Sequence, residues 1–445
     1  MDYYNNILCP SMVFIDGPGN PFRDGIMTLA NDSRSLQHAI CALAACNLRM
    51  KRKLSLGQDT HELFERIMAE KQTAEGSSNT GHLDQALAEE YQHRNLAVHL
   101  LNEQLNDSST SGNDSVLATL LLLCHYRMAE SGVAKFHTQF AGVKKLLALK
   151  RAEQFSSVGE PTWLESLFTF FDATSASIND REAQLIPPSM AAETPALHRG
   201  AENLVGCESD LFRIISKLGR LNLLFQRRPV QSPATTPNAG NRFDGNGFGT
   251  KLNEDELLIS AMDDSHQTMF WREWKEARLA LQNWQFDGNK VASGLPGSPN
   301  ASQIRDLEAL SEAFRYAGLL YTERLACPTV ASQHNNVQNL VSQVVYYATS
   351  LENGSQAEKF LLWPLFVAGS ECVNELQQQI VRTKCREIMS RSGYMNNLAA
   401  LDVLEKLWAG QTEAQEARIP GSRPSPLKWN ACIGKPGIDV EWIMF

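Results

Sequence analysis

Two polar side chains and one aromatic stand where chemistry could be done. His137 lies between Phe136 and Phe140, and Arg324 follows the apolar run Leu319-Leu-Tyr321. An imidazole or guanidinium set into an apolar helical pattern needs a partner once it is buried. An internal hydrogen bond or a bound ligand could supply one. Trp363 sits directly before Pro364 in the string Phe360-Leu-Leu-Trp-Pro-Leu-Phe-Val-Ala-Gly-Ser-Glu371, where it fills core or walls a pocket. His137, Arg324 and Trp363 are the candidate effector-pocket residues. The chemistry open to them is recognition by shape and a few polar groups.

Other chemistries lack their residues. The nine cysteines (9, 41, 46, 124, 207, 327, 372, 385 and 432) include no Cys-x-x-Cys pair. Zinc sites gather thiolates or imidazoles at short spacing. No metal, no cofactor and no catalytic residue is therefore expected, and scattered cysteines read as reduced core thiols. Gly-x-Ser-x-Gly and His-Glu-x-x-His are absent. Gly245-Asn-Gly-Phe-Gly249 has no strand before it, so it lacks the context in which a helix N-terminus holds phosphate. Arg49-Met-Lys-Arg-Lys53 reads either as a nuclear localisation patch or as cations at a helix C-terminus.

The elements that must position these residues are helices. Leu36, Ala39, Ile40 and Leu43 form one stripe, capped by Asp32 or Ser33; Val116, Leu117, Leu120, Leu121 and Cys124 form another, ended by Ser131-Gly132. Phe136, Phe140, Val143 and Leu147 follow. Pro161 sits where a first helical residue should, and Thr162-x-x-Glu165 is a capping box. The stripe Phe270, Trp274, Ala277, Leu281 and Trp284 reads as packing rather than an aromatic cage. Ile304 to Tyr321, Leu340 to Ala348 and Leu398 to Trp408 repeat the pattern. Pro364 must open a helix or kink one. The fold class is all-α: a large irregular bundle of antiparallel helix pairs.

Residues 1–445 read as one helical domain. Prolines and glycines from 227 to 250 predict a flexible loop, and 287–299 a short linker. Hydrophobic residues make up 43% of the chain, enough for a large core. The net charge of −9 argues against a polyanion binder. No apolar run is long enough for a membrane span, and the N-terminus lacks a signal-peptide pattern.

Several segments follow one another in a recognisable order: Asn20-Pro-Phe-Arg23, Leu36-Gln-His-Ala-Ile-Cys-Ala-Leu-Ala-Ala45, His93-Arg-Asn-Leu-Ala97 with Leu100-Leu-Asn-Glu-Gln-Leu105, and Leu117-Ala-Thr-Leu-Leu-Leu-Leu-Cys124. Phe140-Ala-Gly-Val-Lys-Lys-Leu-Leu147, Leu319-Leu-Tyr-Thr-Glu-Arg324, Trp363-Pro-Leu-Phe-Val-Ala-Gly369 and Val403-Leu-Glu-Lys-Leu-Trp408 continue it. As a set they resemble the regulatory (middle homology and C-terminal) domain of fungal-specific zinc binuclear-cluster transcription factors, from about residue 10 onward.

The resemblance implies a nuclear regulator, with the cytoplasm as the other location, controlling specific genes such as those of secondary metabolism. Its partners would be other transcription factors or co-regulators, a second copy of itself, or a small-molecule effector. In such proteins a six-cysteine module holds two zinc ions and binds DNA. That motif is absent from this sequence, so neither zinc nor direct DNA contact is expected of this chain. The alternative is a scaffold repurposed as a small-molecule-binding protein or an isomerase- or cyclase-type enzyme of a biosynthetic pathway.

Overall fold

A computed structural model describes residues 1–53, 60–76, 85–107, 109–153, 161–185, 197–226, 254–410, 427–433 and 441–443. The stretch 227–250, expected as a loop, lies outside them. Among the described residues the fold is all-α, with two strands of two residues each.

After short helical segments between Tyr4 and Ala30, the first long helices are α1 (Arg34–Lys53), α2 (Thr60–Gly76), α3 (Gln85–Asn106) and α4 (Asp114–Glu130). Ser33 starts α1, its Oγ accepting the Leu36 N–H at 3.4 Å. The stripe Leu36, Ala39, Ile40 and Leu43 is fully buried, and α1 packs chiefly on α3 and α4. The Arg49–Lys53 run proves to be a helix end. Lys51, Arg52 and Lys53 occupy its last turn, where cations suit the dipole, while Arg49 turns inward onto Glu90 at 2.7 and 2.8 Å. Glu90 and Glu130 are both buried, and the Tyr126 hydroxyl lies within hydrogen-bond reach of each, at 3.0 and 3.2 Å. Burial alone would raise the Glu130 carboxyl; Arg127 and Lys71 override it and hold the group below the ordinary glutamate range.

Gly132 ends α4 at φ +74, and a Cβ there would come within 2.5 Å of the Asn396 backbone. The chain then forms β1 (Val133–Ala134), which pairs antiparallel with β2 (Glu441–Trp442), so a C-terminal segment closes over the end of α4. Next come α5 (Phe136–Glu153) and α6 (Trp163–Ile178). Thr162 rather than Pro161 is the boundary residue of α6, accepting the Glu165 N–H at 3.3 Å. Beyond α7 (Ser209–Ile215) and α8 (Leu218–Gln226) lies α9 (Glu254–Asn283). Phe270 and Leu281 of α9 are buried, and Trp274 donates its indole N–H to the Thr322 carbonyl at 2.8 Å, so this aromatic stripe is packing. Half of the 287–299 stretch is helical: Asp287 caps α10 (Gly288–Gly294) through the Asn289 and Lys290 amides.

The C-terminal half contains α11 (Ala301–Ala326), α12 (Asn335–Ser350), α13 (Leu362–Gly369), α14 (Glu375–Ser392) and α15 (Asn396–Trp408). An Asn300–Gln303 capping box opens α11. All eight residues of α13 are buried, and α11, α12, α14 and α15 each pack against it. Its first helical bond runs from the Leu365 N–H to the Leu361 carbonyl at 2.9 Å. Pro364 therefore stands in the first turn, where an N–H would find no acceptor, and it opens the helix without kinking it.

Two outcomes test this reading. Pro364→Ala should move the stability measured by chemical denaturation by less than about 1 kcal/mol, because no strained turn is relieved; a gain near 3 kcal/mol would show an interior kink instead. Between α1 and α3, His38 Nδ1 lies 2.9 Å from His93 Nδ1, so one proton is shared by two rings. Burial, then the neighbouring His93 and Arg34, lower the His38 pKa. Stability from this pair is complete above the ordinary histidine pKa and falls as the pH drops below it. Denaturation midpoints at pH 7.5 and 5.5 should differ less for His93→Leu than for the wild-type chain.

Candidate functional site

The sequence candidates fall into three separate neighbourhoods. His137 is exposed, which corrects the expectation of an imidazole inside an apolar face. Phe136, Phe140, Val143 and Leu147 share the buried side of α5, and a residue one step along a helix points about 100° away from its neighbour. His137 instead meets the Gln184 side chain at 2.9 Å and stands 4.0 Å from Glu441. Trp363 is core. Its ring stacks on Phe314, with centroids 5.6 Å apart and planes 8° apart, and its indole N–H donates to Ser177 Oγ at 2.9 Å. Arg324 lines a concave site.

That site is a groove of about 510 Å³ beside the C-terminal end of α13. The end of α11, the segments around 328–333 and 370–373, the end of α15 and Lys428 build its walls. Pro328, Val330, Val373, Leu407 and Trp408 supply apolar surface. Trp408 is fixed by its indole N–H, which donates to the Gly369 carbonyl at 2.9 Å, and by Arg382, stacked 5.3 Å from its ring centre.

Arg324 lies at the base. It continues the buried stripe Leu310, Phe314, Ala317, Tyr321 by one more turn, so its guanidinium is carried inside. There Nε and Nη2 donate to the two Glu371 oxygens at 2.8 and 2.6 Å, and Nη1 donates to the Val330 carbonyl at 2.5 Å. Nη2 also reaches Ser332 Oγ at 3.0 Å. Ser332 hydrogen-bonds Glu371, and Lys428 contacts the Ser332 hydroxyl and lies 3.2 Å from Glu371. Gln338 closes the network from α12, donating to the Ser332 and Glu371 carbonyls at 2.7 and 2.9 Å. The Arg324 and Glu371 side chains are 5% and 3% exposed, whereas Lys428 is 43% exposed at the mouth.

The electrostatics decide what this arrangement can do. Burial alone would raise the Glu371 carboxyl, but Arg324, Lys428 and Ser332 hold it below the ordinary glutamate range. A carboxylate so stabilised is a poor base for the Ser332 hydroxyl that points at it, so Glu371 does not activate that hydroxyl as a nucleophile. The network builds a fixed charge pattern under an apolar cleft.

Sequence reasoning found Arg324 but missed its partners. Glu371 ends the same string that carries Trp363, and a buried arginine demands a carboxylate, but a separation of 47 positions along the chain conceals the pairing. Another residue missed is His125, on α4. It is wholly buried among Phe22, Phe171 and Tyr394, its Nδ1 lies 3.0 Å from the Tyr394 hydroxyl, and burial drives its pKa down to about 3. It is therefore a neutral core group. All nine cysteines are free thiols; seven are buried, and Cys41 and Cys327 are partly exposed. Among the described residues no cluster of three or more His, Cys, Asp or Glu side chains could hold a metal.

The buried pair gives a thermodynamic signature. Arg324→Met or Glu371→Met alone strands a charge and should cost about 3–5 kcal/mol in urea unfolding, whereas the double variant should lose less than either. Because the Glu371 pKa is lowered in the fold, its contribution is complete above the ordinary glutamate pKa and is lost as the pH falls through the depressed value. Single variants costing under about 1 kcal/mol would show a solvated pair instead.

A family model described as the fungal specific transcription factor domain matches residues 1–442. No curated protein and no solved structure matches the chain. The family match runs to within three residues of the C-terminus, over the helices that carry the ordered segments and build the groove; the chain belongs to the family of fungal specific transcription factor domains.

Proposed function

We propose that this transcription-regulator-type domain works in the nucleus, controlling specific genes by taking up a small-molecule effector or a partner in the groove at Arg324. The observation that carries this reading is where the groove lies. Its walls come from the ends of α11 and α15, the α13–α14 connection and the segment at Lys428, so one occupant touches four parts of the fold at once. A ligand shifts a conformational equilibrium only by its differential affinity for the two states. A site shared by several helix ends is suited to supply that difference, because small rearrangements of those ends change its shape. Metabolic genes, co-regulators and self-association are further parts of the same proposal, suggested by the family resemblance. The reading as an isomerase or cyclase has no comparable support, since Arg324 and Glu371 are locked in a buried ion pair, with Lys428 the exposed charge of the network.

Tethering tests it. The full chain, fused to a heterologous DNA-binding module in a fungal host, should change transcription of a reporter severalfold relative to the module alone. Ala331→Trp, which fills the groove from its wall, should abolish or lock that response. A reporter indifferent to the tethered chain would sink the proposal, and equal responses from wild type and Ala331→Trp would remove the groove from it.

A further inference from the structure

From the charge count in the groove, we infer that its occupant is a monoanionic amphipathic small molecule whose carboxylate is received by Lys428; this inference rests on the effector reading above. The polar network holds two cations, Arg324 and Lys428, and one carboxylate, Glu371. One positive charge is left over, on a chain whose net charge is −9. The two cations are not equivalent. Arg324 is spent: its donors are directed to Glu371, Ser332 and the Val330 carbonyl, and its side chain is 5% exposed. Lys428 is the accessible one, 43% exposed where the groove opens.

An incoming carboxylate at Lys428 leaves the Arg324–Glu371 pair intact and balances the network: two positive charges against two negative. The rest of the groove limits the remainder of the molecule. Pro328, Val330, Val373, Leu407 and the face of Trp408 offer apolar contact, while Gln333 and Gln378 are the neutral polar groups of the lining. A second fixed negative charge on the ligand would find Glu371 rather than another accessible cation in the lining, which favours a single charge. An unbranched or aryl monocarboxylic acid has this pattern of one anionic end and one apolar body.

Octanoate and 4-phenylbutanoate, titrated into the full chain by calorimetry beside their primary amides, test the inference. The amides keep the size and one carbonyl acceptor but lose the charge. Wild type should bind each acid about five- to tenfold more tightly than its amide, as expected for a partly exposed ion pair. Lys428→Gln should bring acid and amide to within about twofold, and Lys428→Arg should retain the preference. Lys428 is half-exposed, so thermal melting of both variants should stay close to wild type, which separates a charge effect from a folding defect. Acid and amide bound equally by wild type, a preference that survives Lys428→Gln, or no binding by any of the four probes at millimolar concentration would overturn the inference. Equal binding of acid and amide would leave the effector reading standing, because the apolar walls hold both. An inert tethered reporter alongside a clear acid preference would sink the effector reading alone.

Discussion

The constraint on which the rest of the structure depends is the complete burial of an eight-residue helix, Leu362–Gly369. It has no solvent face, so it must be enclosed on every side by other helices. The long helix 301–326 and its neighbours 335–350, 375–392 and 396–408 do this. Its ends then become the difficult places, because backbone groups there have no helical partner. At the start, Pro364 removes a donor that would have been orphaned. At the finish, the Trp408 indole satisfies the Gly369 carbonyl, and Glu371 follows at once as a buried charge. The groove exists because this apolar helix ends inside the protein and its terminus has to be met by polar side chains.

Buried carboxylates are handled in the same way elsewhere. Asp172 is met by Arg181 at 2.6 Å, Glu358 by Lys384 at 2.6 Å and by Arg391, and Glu90 by Arg49. Many of these contacts join distant parts of the chain. Arg181 also reaches Glu441 at 2.6 Å, and Lys359 donates to the carbonyls of Ser11 and Val13. Such pairs add little net stability against apolar replacements, but losing one member leaves a stranded charge. They therefore penalise wrong docking of the segments around 11–13, 181, 359 and 441.

Transcription-factor membership and a groove at several helix ends belong to one physical picture. The interior is rigidly packed around the buried helix, with Trp363 stacked on Phe314 and Trp429 inserted against Phe366 at 5.3 Å. The rim is more open: Lys428 stands half-exposed there on a short turn anchored by the buried Trp429 beside it. Under the proposed function, an occupant at that rim would bear on the packing of the segment that carries Lys428.

The sequence by itself determined the all-α class, the buried stripes of its helices and the family, and it narrowed Pro364 to opening a helix or kinking one, which the structure then decided. These rest on local spacing: a stripe such as Leu310, Phe314, Ala317 and Tyr321 repeats with the helical period wherever the helix docks. Arg324 was legible as a buried cation for the same reason, being the next residue on that stripe. His137 was misread because its neighbours Phe136 and Phe140 share a face that it does not. Only the tertiary structure decided that Glu371, Ser332 and Lys428 meet Arg324, that His125 is sealed among aromatic rings and that Trp363 belongs to the core. Partner choice between residues far apart in sequence depends on how helices cross, and helical periodicity fixes which face is apolar without fixing what that face will meet.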